Sequence, residues 1–234
     1  LFETMFKGDA DNADWGYQIL YFYHELSCED KTTTLHKTFA EEEIRALVHK
    51  DIKVLGGLLS DMKRFENEYG KYGYRIMSFE DTSYAIEVQP SFLYDKFKKM
   101  LTPEYAYYRG LWIKEHDIPA IWHATLAIPL SEVFKRIEWR DEFLEKNPDF
   151  IREDLVTREI ERLCFIVTKG LENTSVYDEK DVIKPEYKDA LQAYYRSHKQ
   201  TKWGKYMTDY VHLLALNKYR NSYKIDSWVL EHLF

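Results

Sequence analysis

The 234 residues carry 33 Lys and Arg against 40 Asp and Glu, a net charge of −7, with 45% hydrophobic side chains. That balance belongs to a folded chain rather than a disordered one. An acidic chain also opposes unspecific attraction to nucleic-acid phosphates and anionic lipid, so no nucleic-acid partner is expected.

The longest apolar run, 118–130, contains Pro119, His123 and Pro129 and falls short of the roughly 18–20 residues of a membrane span. Tyr, Phe and Trp make up 16% of the chain. They supply a bulky core, or a groove lined with flat rings; composition does not separate the two. Cys28 and Cys164 form no disulfide framework, which favours a cytoplasmic, reducing setting. The first residue is Leu1, so a processed secreted form stays open as an expectation.

The predicted elements run as follows. Asp14 reads as the cap of a helix reaching Leu26, with Tyr17, Leu20, Tyr21 and His24 on one side. Residues 31–36 read as a loop. Thr38-Phe-Ala-Glu41 has the form of a capping box. The apolar positions from Ile44 to Phe65 then recur at helical spacing, making Phe39–Phe65 one rod, with Gly56 and Gly57 admitting a close crossing. Alternation over 74–89 predicts a β-hairpin closed by Pro90.

The rest reads as helices joined by short turns. One starts at Ser91 and ends near Leu101. Thr102-Pro103 opens another, with Tyr105, Tyr108, Leu111 and Trp112. Asp117 and Pro119 repeat that signal. Ser131 caps a helix to Lys146, Asn147-Pro148-Asp149 breaks the chain, and an amphipathic helix follows to Leu171. Helices are also expected at 186–197, at 202–217 and at the C-terminus. The expected fold is mainly α: an irregular multi-helix bundle, or solenoid-like helical pairs, with one hairpin near 74–89. One domain spans 1–234, and the polar stretch 172–185 is the candidate internal boundary.

Motifs for chemistry are sparse. The sequence has no phosphate loop, no dinucleotide fingerprint, no His-Glu-x-x-His, no Cys-x-x-Cys and no nucleophile elbow. No metal or cofactor is assigned. Asp209-x-x-His212 is a single pair and not a site, and the acids from Asp9 to Asp14 lack the glycine and distal Glu of a calcium loop. The clusters Lys96, Lys98, Lys99 and Lys199, Lys202, Lys205 read as solvated helix faces.

Arg109-x6-His116 places two side chains on one helical face. This eight-residue stretch resembles the Arg-x4–6-His motif of the HEPN ribonucleases, which are all-helical. The resemblance implies that Arg109 and His116 act on an RNA 2′-hydroxyl and scissile phosphate. Gly110 departs from the polar residue usual there. His123, within an apolar run, reads as a core histidine, with an imidazole in a binding or catalytic role as the alternative.

The leading reading is a non-enzymatic helical interaction module for a protein or peptide partner. The second is an enzyme assembled from separate helices, with Arg109 and His116 as its residues. The third is an extracytoplasmic protein holding a ligand in an aromatic cleft, with Tyr105, Tyr108, Trp112 and His123 as binding candidates.

Overall fold

In the computed structural model, residues 2–48, 59–79 and 83–233 are described. They form a mainly helical, multi-helix fold with small antiparallel hairpins. The chain groups into two compact units that divide after His116.

The first unit opens with α1 (Phe2–Met5) and α2 (Ala10–Leu26). The cap of α2 is Asp9, which accepts the Asn12 N–H, and not Asp14. Asp14 points inward and belongs to the packing. Residues 28–38 are a helix, α3 (Cys28–Thr38), where the sequence reading has a loop. The consecutive Thr32, Thr33 and Thr34 disfavour helix intrinsically, and tertiary bonds override that preference. Thr32 Oγ1 accepts the Ile86 N–H at 2.8 Å, and His36 Nε2 donates to the Tyr84 carbonyl at 2.7 Å.

The α4 helix (Glu41–Val48) starts three residues after the expected cap. The Thr38–Glu41 box does not form: Thr38 ends α3 with its hydroxyl donating to the Thr34 carbonyl, and it is the Glu43 carboxylate that reaches back to the Ala40 N–H, at 2.8 Å. Residues 49–58, the middle of the expected rod with Gly56 and Gly57, lie outside the described residues. The α5 helix (Leu59–Gly70) follows.

The expected hairpin is present as β1 (Tyr74–Phe79) and β2 (Ser83–Val88), paired Tyr74 with Val88 and Ile76 with Ile86. Tyr84, Ile86 and Val88 turn inward onto Leu35, Phe39 and Ile44. Alternation thus puts one face of the hairpin in the core, as a period of two requires. Two helices complete the unit's order: α6 (Pro90–Phe97), which ends short of the expected Leu101, and α7 (Pro103–Asp117), which starts where Thr102-Pro103 signals it and is capped by Thr102, whose Oγ1 accepts the Tyr105 N–H.

The second unit begins with a correction. Residues 118–129 are not a helix: β3 (Ile121–Trp122) and β4 (Thr125–Leu126) pair across a two-residue turn. The turn is His123-Ala124, both with positive φ. Right-handed strand twist favours such a turn. The second strand is tied down by Thr174, whose Oγ1 accepts the Leu126 N–H. The α8 helix (Leu130–Lys146) has Pro129 before it rather than a Ser131 cap, and α9 (Glu153–Lys169) ends at Gly170, whose φ of +81° suits glycine alone. A third hairpin, β5 (Gly170–Leu171) with β6 (Thr174–Ser175), follows directly.

The stretch 172–185 lies inside this unit and is bridged twice, Tyr177 to Ile183 and Val182 to Arg220. The α10 (Pro185–Ser197), α11 (Lys202–Leu216) and α12 (Tyr223–Leu233) helices then complete a bundle. Its fully buried core joins Val133, Ile137, Val156, Ile160, Leu191, Met207 and Val229. Cys164 is sealed inside it, and burial pushes its thiol far above the usual range. Tyr210 donates to the Thr168 carbonyl at 2.8 Å, so this buried hydroxyl is satisfied.

Candidate functional site

Arg109 and His116 lie on one face of α7, as their spacing dictates, with Trp112 between them. The Arg109 guanidinium is 4.1 Å from the Trp112 ring centroid, and the Trp112 and His116 rings stack at 5.0 Å. His116 also faces Glu87 at 3.9 Å. Burial alone would push the Glu87 carboxyl up; bonds from His116 and Arg75 outweigh it and hold the carboxyl below its usual range.

Arg109 is only 6% exposed. Its charge lies over the rings of Tyr21 at 4.5 Å and Tyr17 at 5.5 Å, both on α2. A desolvated cation over aromatic faces is worth about 2 kcal/mol. Tyr105 and Tyr108 are buried too, and Tyr105 meets Tyr17 edge to face at 5.8 Å. Burial drives the Tyr21 hydroxyl up to about 12, so it stays neutral beside the guanidinium. These rings fill the interior of the first unit. A surface hollow of about 530 Å³ between α6 and α7 is lined by Tyr94, Tyr107 and Lys114 and includes neither Arg109 nor His116.

Trp112, the remaining ring of this group, touches Tyr21 edge to face at 6.1 Å. His123, expected in a core, is instead exposed at the tip of the β3–β4 turn, where Asn173 Nδ2 donates to its carbonyl. Its apolar neighbours alternate along a short hairpin rather than around a helix, which is why the run misleads.

The Arg109 group has a structural consequence: it seats α2. A second fastening lies one helical turn away. Asp14 accepts the Thr102 N–H at 3.0 Å and the Thr102 hydroxyl at 2.6 Å. Burial raises the Asp14 carboxyl, and the two bonds to Thr102 pull back against that rise. With Ala13, Asp14 and Tyr17 facing inward, the opposite side of α2 must face outward.

That outward side is apolar. Trp15, Ile19, Phe22 and Leu26 are 51%, 55%, 56% and 56% exposed. They recur at i, i+4, i+7 and i+11, a narrow seam of the coiled-coil kind. Tyr23 flanks it, 65% exposed. At about 150–250 Å² per aromatic residue, half-exposed Trp15 and Phe22 with Tyr23 leave roughly 300 Å² of aromatic surface before Ile19 and Leu26 are added. A patch of a few hundred Å² marks a contact surface. Acids border it: Asp11 at one end, and Glu29 with Asp30 beyond Leu26, all exposed.

The side expected to be apolar, with Tyr17, Leu20, Tyr21 and His24, leaves the seam out. The signal was legible in the second apolar series at spacings of four, three and four. No protein-family model, curated protein or solved structure matches the chain.

Proposed function

We propose that this chain is a helical interaction module, and that the seam on α2 takes an amphipathic helix of a partner protein with basic residues beside its apolar face. The carrying observation is the exposed series Trp15, Ile19, Phe22 and Leu26 on a helix whose other face is fastened by Asp14 and Arg109. A helix-in-groove or paired-helix contact reads apolar anchors at this spacing. The seam runs eleven residue steps from Trp15 to Leu26, roughly 16 Å at 1.5 Å per step, which matches three turns of a partner.

Charge selects among occupants. The bordering acids favour Lys and Arg on the incoming helix, and the negative end of the α2 dipole adds to that preference. A second copy would bring its own Asp11, Glu29 and Asp30 against these, so self-pairing is disfavoured. Because the seam is held rigidly, little ordering cost falls on this side of the contact.

The test uses a labelled helical peptide with Leu and Ile at coiled-coil spacing and Lys and Arg beside them, titrated by fluorescence anisotropy. Saturable binding is expected, lost in an Ile19→Asp, Phe22→Asp double variant and kept in Leu216→Asp, an exposed leucine in the second unit. Binding that survives the double variant would refute the proposal. So would a concentration-dependent dimer that Phe22→Asp dissolves, since the seam would then serve a second copy.

A further inference from the structure

We propose that Glu138, Glu142 and His198 form a binding site for a divalent transition cation such as Zn²⁺. Glu138 and Glu142 lie on successive turns of α8, one above the other. His198 follows directly on α10. One donor atom from each of the three lies within 4.8 Å of the others.

The hydrogen bonding of His198 carries the inference. Its Nδ1 is 2.9 Å from the Tyr194 carbonyl oxygen, and its Nε2 is 3.0 Å from Glu138 Oε1. A carbonyl oxygen only accepts, so Nδ1 holds a hydrogen. A neutral ring has no second hydrogen to give. Its Nε2 lone pair would then point at a carboxylate lone pair, and the arrangement calls for a positive species between them, a proton or a metal ion. A donated Nδ1–H with a free Nε2 is the usual state of a metal-ligating histidine, and the bond to a carbonyl fixes the ring's orientation.

The ring is also held from outside the trio. It stacks on Tyr194 at 4.4 Å and 17°. The His198 carbonyl accepts from both N and Oγ1 of Thr201, each at 3.1 Å. An acidic row on α8, with Asp141 and Glu145 beside the two ligands, adds negative field at the site. Lys146 pairs with Glu142 at 3.1 Å. Both partners are exposed, so water already screens this pair and a cation can displace it.

The donor set indicates the metal. One imidazole among oxygens suits Zn²⁺, Mn²⁺ or Fe²⁺ better than Mg²⁺ or Ca²⁺. Three protein ligands at roughly 2.0–2.2 Å leave a fourth position to water. Glu142 is exposed and Glu138 partly so, so rotation of their side chains closes the donors to that distance.

The test is thermal unfolding of the whole chain with and without ZnCl₂, joined to the visible absorption of the Co²⁺-loaded protein. At a Zn²⁺ concentration about 100 times its dissociation constant, the melting temperature should rise by roughly 5–10 °C. Bound Co²⁺ should give the intense bands of a four-coordinate site. Glu142→Gln, at an exposed position, should remove both signals without changing the metal-free melting temperature, and His198→Gln should also remove both. Glu153→Gln, an exposed glutamate on another helix, should keep them. No response in the parent protein overturns the proposal, as does a response that Glu142→Gln and His198→Gln leave intact.

Discussion

Replacing Gly204 by alanine tests how the second unit's turn between α10 and α11 is built. In an ordinary helix interior the change stabilises by about 1 kcal/mol. Here the added Cβ would lie closer than 3.0 Å to the His198 carbonyl carbon and oxygen and to Thr201 Oγ1. Two of those atoms are backbone and cannot rotate away. Overpacking costs about 1–3 kcal/mol. Displacing Thr201, whose Oγ1 accepts the Gly204 N–H at 3.0 Å, adds about 1 kcal/mol for the lost cap. Set against the propensity gain, the net loss is about 2 kcal/mol, a fall of roughly 4–8 °C in melting temperature for a chain of this size. Gly70→Ala is the matched control: nothing lies within 4 Å of its Cβ and its φ is not positive, so it should stabilise by about 0.4–1 kcal/mol. Urea unfolding and calorimetry of both variants measure the difference. Gly204→Ala at or above parent stability would refute the reasoning.

Other expected outcomes follow from single contacts. Thr32→Val keeps shape but removes the acceptor of the Ile86 N–H, and should cost about 1–2 kcal/mol by urea unfolding. Ala124→Gly relieves a positive φ at the β3–β4 turn and should raise stability by about 0.5–1 kcal/mol in the same assay. Ile19→Asp and Phe22→Asp, at exposed positions of the seam, should each stay within about 0.5 kcal/mol of the parent in the absence of peptide. The depressed Glu87 carboxyl fixes the sign of one pH effect. The folded unit binds that proton less readily than the unfolded chain, so its contribution is present above the unfolded value near 4.5 and is lost as pH falls through the lower folded value. In Glu87→Gln, unfolding titrated from neutral pH downward should lose that part of the acid sensitivity; an unchanged slope would contradict the ion-pair role.

The legible parts of this fold are those in which one period dominates. The alternation of Tyr84, Ile86 and Val88 gave the hairpin and its inner face, and Thr102-Pro103 marked the start of α7, because each signal is local. The α3 helix was hidden because its threonines prefer other backbone shapes, and the bonds that hold Thr32 and His36 come from a strand some fifty residues later. The short β3–β4 hairpin was hidden because its apolar residues are too few to show a period. Spacing puts Arg109 with His116 on one side of α7, and Tyr105 and Tyr108 on the same helix, but it carries no sign of whether a face turns inward, and Arg109, Tyr105 and Tyr108 are buried. The outer seam of α2 went unread because a helix apolar on both sides shows no single face. Glu138 and His198 are 60 positions apart, and nothing local to either hints at the other.

The two thiols differ in access. Cys164 is enclosed, while Cys28, just past the C-terminal end of the α2 seam, is half-buried with its Sγ directed to the His24 carbonyl. Burial lifts the Cys28 thiol as well, so alkylation will be slow at neutral pH and faster under mildly alkaline conditions. A maleimide dye would therefore mark this one position in the native chain. It would sit against the core that joins α3 to the hairpin, so its uptake would report how readily that core opens.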